Sequence, residues 1–86
     1  MYKFIFTKHW KKAFDKLEKN YQDRIIKKLT SLKESEDIFV YLKKLENLLP
    51  ATHRLRVWNI RIILEFDKIN KSFYVLDAWN RWDIYK

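Results

Sequence analysis

The last third of the chain constrains the fold more than any other stretch. From His53 to Lys86 it reads HRLRVWNIRIILEFDKINKSFYVLDAWNRWDIYK, with apolar and polar residues alternating over two long runs. Successive side chains of a strand point to opposite faces, so this alternation specifies strands with one buried face. Three are predicted, at about 53–58, 60–67 and 72–79, joined by Trp58-Asn59 and by Asp67 to Lys71 with Asn70 as a turn residue. Connections this short make the strands an antiparallel meander. In the first of them Leu55 and Val57 share one face, Arg54 and Arg56 the other. A sheet that carries arginines is the working surface the sequence offers.

Upstream the period changes. Tyr2, Phe4 and Phe6 alternate with Lys3 and Ile5, which predicts a short strand with one apolar face, and Thr7 offers a helix cap. Trp10, Ala13, Phe14 and Leu17 then lie at helical spacing, with Lys11, Lys12, Asp15, Lys16 and Glu18 opposite. Asn20, with Asp23 three residues on, reads as the N-terminus of a second helix running to about Lys33. Its stripe is Tyr21, Ile25, Leu29 and Leu32, broadened by Ile26. The short link around Lys19 and Asn20 predicts an antiparallel helix hairpin that needs a sheet to cover. Glu34 to Thr52 reads as a connector holding a short helix from Val40 to Leu48, ended by Pro50. Part of its apolar content, Ile38, Phe39, Leu42, Leu45, Leu48 and Leu49, must pack on the domain, and part is open to a partner.

At 86 residues the chain fits one domain, residues 1–86, and 48% apolar content supplies its core. Lys and Arg number 19 against 11 Asp and Glu, a formal charge of +8 that favours a polyanion such as nucleic acid, or equally an acidic protein. The lysines of the first half read as a solvated face. There is no cysteine, and His9 and His53 are far apart, so metal-free chemistry without a cofactor is the default and a reducing cytoplasm fits. No apolar run approaches the roughly 20 residues a membrane span needs. Glycine is absent, which passes positive-φ turn positions to asparagine or aspartate; Asn20, Asn47, Asn59, Asn70 and Asn80 are the candidates.

The order strand, helix hairpin, connector, meander and short tail resembles the RelE/ParE superfamily of toxins from type II toxin–antitoxin systems. The residues that carry the resemblance are Phe6-Thr7-Lys8, Lys43-Lys44-Leu45, Arg54-Leu55-Arg56-Val57, Asn59-Ile60-Arg61-Ile62-Ile63 and Arg81-Trp82-Asp83-Ile84-Tyr85. Members read close to "YRLRVGDYRIIYEID" and "VLRIGHRKDIY" in the two main places, and two ordered motifs are more specific than one. The resemblance implies an α+β domain of RelE-like fold. A helix hairpin packs on a mostly antiparallel twisted sheet, the N-terminal strand pairs parallel with a later one, and a basic concave face stays open. It implies a cognate antitoxin as partner. For RelE-like members it implies messenger RNA cleavage on the ribosome; for ParE-like members, inhibition of DNA gyrase.

Metal-free RNA cleavage needs a base for the 2′-hydroxyl, cations for the developing phosphorane and an acid for the departing 5′-oxygen. The resemblance assigns phosphate contacts to Arg54, Arg56, Arg61 and Arg81, whose planar guanidinium groups bind phosphate bidentately. Surface ion pairs with Glu65, Asp67, Asp77 or Asp83 are the competing use of these arginines. Tyr85 falls where some RelE-like enzymes place a tyrosine for proton transfer or substrate orientation; a packed C-terminal anchor is its other reading. Arg61, Arg81 and Tyr85 are thus the catalytic candidates, and Arg54, Arg56, Asn80 and Trp82 the substrate-binding ones. Many members have Gly-His-Arg where this chain has Trp79-Asn80-Arg81, so a titratable histidine gives way to Asn80. His53 points away from Arg54 by alternation and reads as packed or solvated, which leaves Asp77 and Asp83 as carboxylate bases or as partners of Arg81. Trp58 and Trp79 replace small residues of the motifs. With Trp82 they offer stacking on exposed bases at about 1–3 kcal/mol each, anchors for an antitoxin, or core.

Overall fold

The computed structural model describes residues 2–80; the expectations for Arg81, Trp82, Asp83 and Tyr85 lie outside them. The elements are β1 (Lys3–Phe6), α1 (Lys8–Asp15), α2 (Lys19–Lys33), a 3-10 turn (Ile38–Tyr41), β2 (Leu42–Lys44), β3 (His53–Val57), β4 (Ile60–Asp67) and β5 (Ser72–Asn80). They form a five-stranded sheet in the order β1-β5-β4-β3-β2, in which β1 runs parallel to β5 and the remaining pairs are antiparallel. This is the α+β architecture expected, parallel first strand included.

Local chemistry accounts for the helix starts. Thr7 is extended and its hydroxyl oxygen accepts from the Trp10 amide, capping α1. The same hydroxyl donates to the Val75 carbonyl at 2.9 Å, so one side chain ends β1, starts α1 and ties both to β5. The second helix begins before Asn20, with Glu18 at the cap position and no side-chain cap bond. Asn20 accepts from the adjacent Tyr21 amide instead. Gln22 does the joining: its amide nitrogen donates to the carbonyls of Phe14 and Leu17, satisfying the end of α1 from the first turns of α2.

One face of the sheet and the two helices enclose the core. Trp10, Ile25, Leu29, Leu32 and Ile38 pack on Leu55, Val57, Ile60, Ile62, Leu64, Phe73 and Val75. Ile26 does not widen the helical stripe, being 49% exposed beside Phe4, Phe6 and Lys33. The helix predicted from Val40 to Leu48 is also absent. A single 3-10 turn leads into β2, whose Lys43 and Lys44 pair with Arg54 and His53, and Leu45 donates to the Thr52 carbonyl at 2.8 Å. The free edge of β3 takes these backbone groups, a tertiary option that no local pattern announces.

Turn geometry departs from expectation as well. Positive φ falls at Asn47 (59°), Trp58 (55°) and Lys71 (49°), so only one of the five asparagines takes the role foreseen. Strand register decides which residue occupies the left-handed position, and at two turns that residue is not an asparagine.

Candidate functional site

Side chains directly opposite one another in paired strands share a face, so the register assigns every strand residue to the covered or the open side. On the open side Lys43 of β2 pairs with Arg54 of β3, Arg54 with Ile63 of β4, and Ile63 with Asp77 of β5. One step along, Arg56 pairs with Arg61 and Arg61 with Trp79. Two rows of residues, about 6.6–6.8 Å apart along the strands, thus carry Lys43, Arg54, Arg56 and Arg61 across three strands. Ile63 lies in the first row between Arg54 and Asp77; it is buried yet outside the main core, an apolar floor beside the cations.

Arg56 and Arg61 stand opposite each other, and like charges directly opposite are destabilising. Among the described residues neither has a carboxylate within ion-pair distance, and Arg56 donates through Nε to the Trp58 carbonyl at 3.1 Å. Two of the carboxylates offered as their partners, Asp67 and Asp77, are engaged elsewhere. Asp67 accepts from the Ile69 and Asn70 amides and from the Asn70 side chain at 2.7 Å; these bonds, the side-chain one foremost, lower its pKa. Asp77 accepts from the Ala78 amide, from the Trp79 indole at 2.7 Å and from His9 at 3.1 Å.

The structure brings Arg54, Arg56 and Arg61 together and separates Asn80 from them. Register shifts between Ile63 and Leu64: Ile63 faces Asp77 while Leu64 faces Val75, which leaves Leu76 as the extra residue of a β-bulge. The bulge inverts the alternation of β5 beyond it. Asp77 and Trp79 therefore share the arginine face, whereas Asn80 pairs with Ile60 on the covered side; Asp77 and Asn80 both line a cleft with His9, Lys12 and Lys16 of α1 at the edge of β5. Sequence reasoning missed Lys43 because its strand was not foreseen. It missed the His9–Asp77 contact because the partners are 68 positions apart, and no local signal joins them.

His53 packs as expected, its ring 5.4 Å from Phe39 and at right angles to Phe66 and Phe73, with Thr52 Oγ1 2.8 Å from Nδ1. Burial first, then the neighbouring Lys44 ammonium, lowers its pKa below the ordinary 6.5. A second group of cations lies on the outer flank of α2. The Arg24 guanidinium stacks 3.4 Å over Trp58, whose other neighbour is the edge-on ring of Tyr21, and Lys28 sits 4.7 Å over Tyr41. No three His, Cys, Asp or Glu side chains among the described residues group as metal ligands, and no described helix is long and apolar enough to cross a membrane.

No protein-family model and no curated protein matches the chain. Solved structures do. A chain of the RelE–RelB complex from Pyrococcus horikoshii superimposes with a TM-score of 0.74 at 22% identity, covering 93% of this chain and 94% of that one. For a chain of the RelB–RelE antitoxin–toxin complex from Methanococcus jannaschii the values are 0.71, 23%, 94% and 94%. For the isolated Escherichia coli RelE toxin they are 0.71, 18%, 93% and 84%. Over nearly its whole length, and with little sequence in common, this chain has the fold of the RelE toxins.

Proposed function

We propose that the chain is the toxin of a type II toxin–antitoxin pair and acts in the cytoplasm as a ribosome-dependent messenger RNA endonuclease. The observation that carries this reading is the cluster of Arg54, Arg56 and Arg61 on the open sheet face, where Arg56 and Arg61 have no carboxylate partner among the described residues. Side-by-side guanidinium groups oppose folding slightly and suit a ligand with closely spaced negative charge.

In the proposed reaction the substrate's 2′-oxygen loses its proton and attacks the adjacent phosphorus. The phosphorus–O5′ bond breaks and the 5′-oxygen takes up a proton, leaving a 2′,3′-cyclic phosphate and a 5′-hydroxyl. Arg54, Arg56, Arg61 and Arg81 stabilise the charge that grows on the phosphorane, each most effective where water is excluded. Tyr85 orients the scissile nucleotide or relays a proton, and Trp82, with Trp79, offers a stacking surface for bases. A cognate antitoxin neutralises the toxin through the basic and exposed apolar surfaces, the kind of partnership that the Pyrococcus RelE–RelB and Methanococcus RelB–RelE complexes represent.

The second reading is a ParE-like gyrase inhibitor, favoured by Asn80, which cannot titrate. Induction in cells followed within minutes by mapping of transcript ends, together with a supercoiling assay in vitro, separates the two. In-frame cleavage that Arg61→Ala reduces about 10²–10³-fold, with gyrase unaffected, supports the nuclease. Intact transcripts with blocked supercoiling support the inhibitor instead.

A further inference from the structure

Among the described residues the arginine face itself carries no imidazole, and resting on the nuclease reading we propose that His9 is its general base, held by Asp77. The two side chains come from α1 and β5, and His9 Nε2 lies 3.1 Å from Asp77 Oδ2. A carboxylate in that position retains the proton on Nε2, so the neutral imidazole presents an unprotonated Nδ1. His9 is 72% exposed and Asp77 24%, so a substrate can approach the ring while the carboxylate beneath is partly shielded.

Asp77 is itself fixed. One oxygen accepts from the Ala78 amide at 2.8 Å, and the other from the Trp79 indole as well as His9. Trp79 stands opposite Arg61, so Asp77 is a diagonal neighbour of that arginine, at about 7–8 Å. The bulge at Leu76 makes this possible, because without it Asp77 would alternate onto the covered face. Through Asp77 the His9 ring therefore borders the strand that stands opposite Arg61. The charged groups around the ring are Asp77 of β5, Lys12 and Lys16 of α1 in the same cleft, and Arg61 one diagonal step away. Asn80 lines the cleft too and cannot exchange a proton.

In the cleavage step Nδ1 of His9 takes the 2′-hydroxyl proton as the O2′–phosphorus bond forms. The phosphorus–O5′ bond breaks, and the departing oxygen is protonated by water. Asp77 is a positioning residue: it fixes the tautomer and steadies the imidazolium.

The test is transcript cleavage in a purified translation system, measured across pH. His9→Gln is expected to lower the rate about 10²-fold or more and to remove the acid limb of the pH–rate profile, with an unchanged melting temperature. Asp77→Asn should lower it less and shift that limb, and added imidazole should restore part of the cleavage lost in His9→Ala. A His9→Gln protein that cleaves at the parental rate with the parental pH profile overturns the inference and leaves the nuclease reading standing. A parental protein that cleaves nothing while folded overturns both.

Discussion

The open sheet face and the outer flank of α2 both carry cations, and the molecule holds them in different ways. On α2, Arg24 and Lys28 each rest on an aromatic ring, Trp58 and Tyr41, supplied by a different segment. Such contacts stabilise by about 0.5–1 kcal/mol at exposed sites, so these charges contribute to the fold they decorate. On the sheet, Arg56 and Arg61 oppose one another across two strands beside the apolar floor of Ile63. Charge that works against the fold points to a ligand more strongly than charge that works for it.

Removing cations from the two regions should therefore have opposite consequences. The largest effect is expected for Arg61→Ala, which should lower transcript cleavage about 10²–10³-fold while leaving the chemical-denaturation midpoint unchanged or raised. Lys28→Ala should do the reverse, lowering unfolding free energy by about 0.5–1 kcal/mol with cleavage retained.

Trp58 sharpens the point, because it combines a left-handed backbone with the Arg24 stack. Trp58→Ala loses the ring contacts and keeps the unfavourable φ, whereas Trp58→Gly loses the contacts and relieves it. Glycine should be the more stable replacement by about 1 kcal/mol, read from paired melting curves.

The smallest effect concerns the covered face, where His53 is held neutral by burial and by Lys44. Its folded pKa lies below the unfolded 6.5, so the unfolded chain binds the proton more readily. Its contribution to stability is present above pH 6.5 and is lost as pH falls through the folded value. His53→Phe should flatten that part of the stability–pH curve.

Much of this was legible in the chain itself. Alternation from His53 to Trp79 gave three strands close to their observed limits, the Trp10 to Leu17 stripe gave the first helix, and Thr7 announced its cap. The faces taken by Arg54, Arg56 and His53 followed from the same period-two rule. What escaped depended on partners distant in sequence. β2 exists because β3 has a free edge. Trp58 and Lys71 take positive φ because strand register demands it. One bulged residue, Leu76, exchanges the faces of residues 77–80, which moves Asn80 off the arginine face and brings Asp77 to it. A strictly alternating reading has no means of placing such a residue.

On the proposed reading the sheet face, and not the α2 flank, engages RNA. Charge reversal in a reconstituted translation system tests it most directly, comparing Arg56→Glu with Arg61→Glu against Lys27→Glu with Lys28→Glu at equal amounts of folded protein. The sheet pair is expected to abolish transcript cleavage and the α2 pair to leave most of it intact. Cleavage that survives reversal on the sheet and is lost on α2 would contradict it.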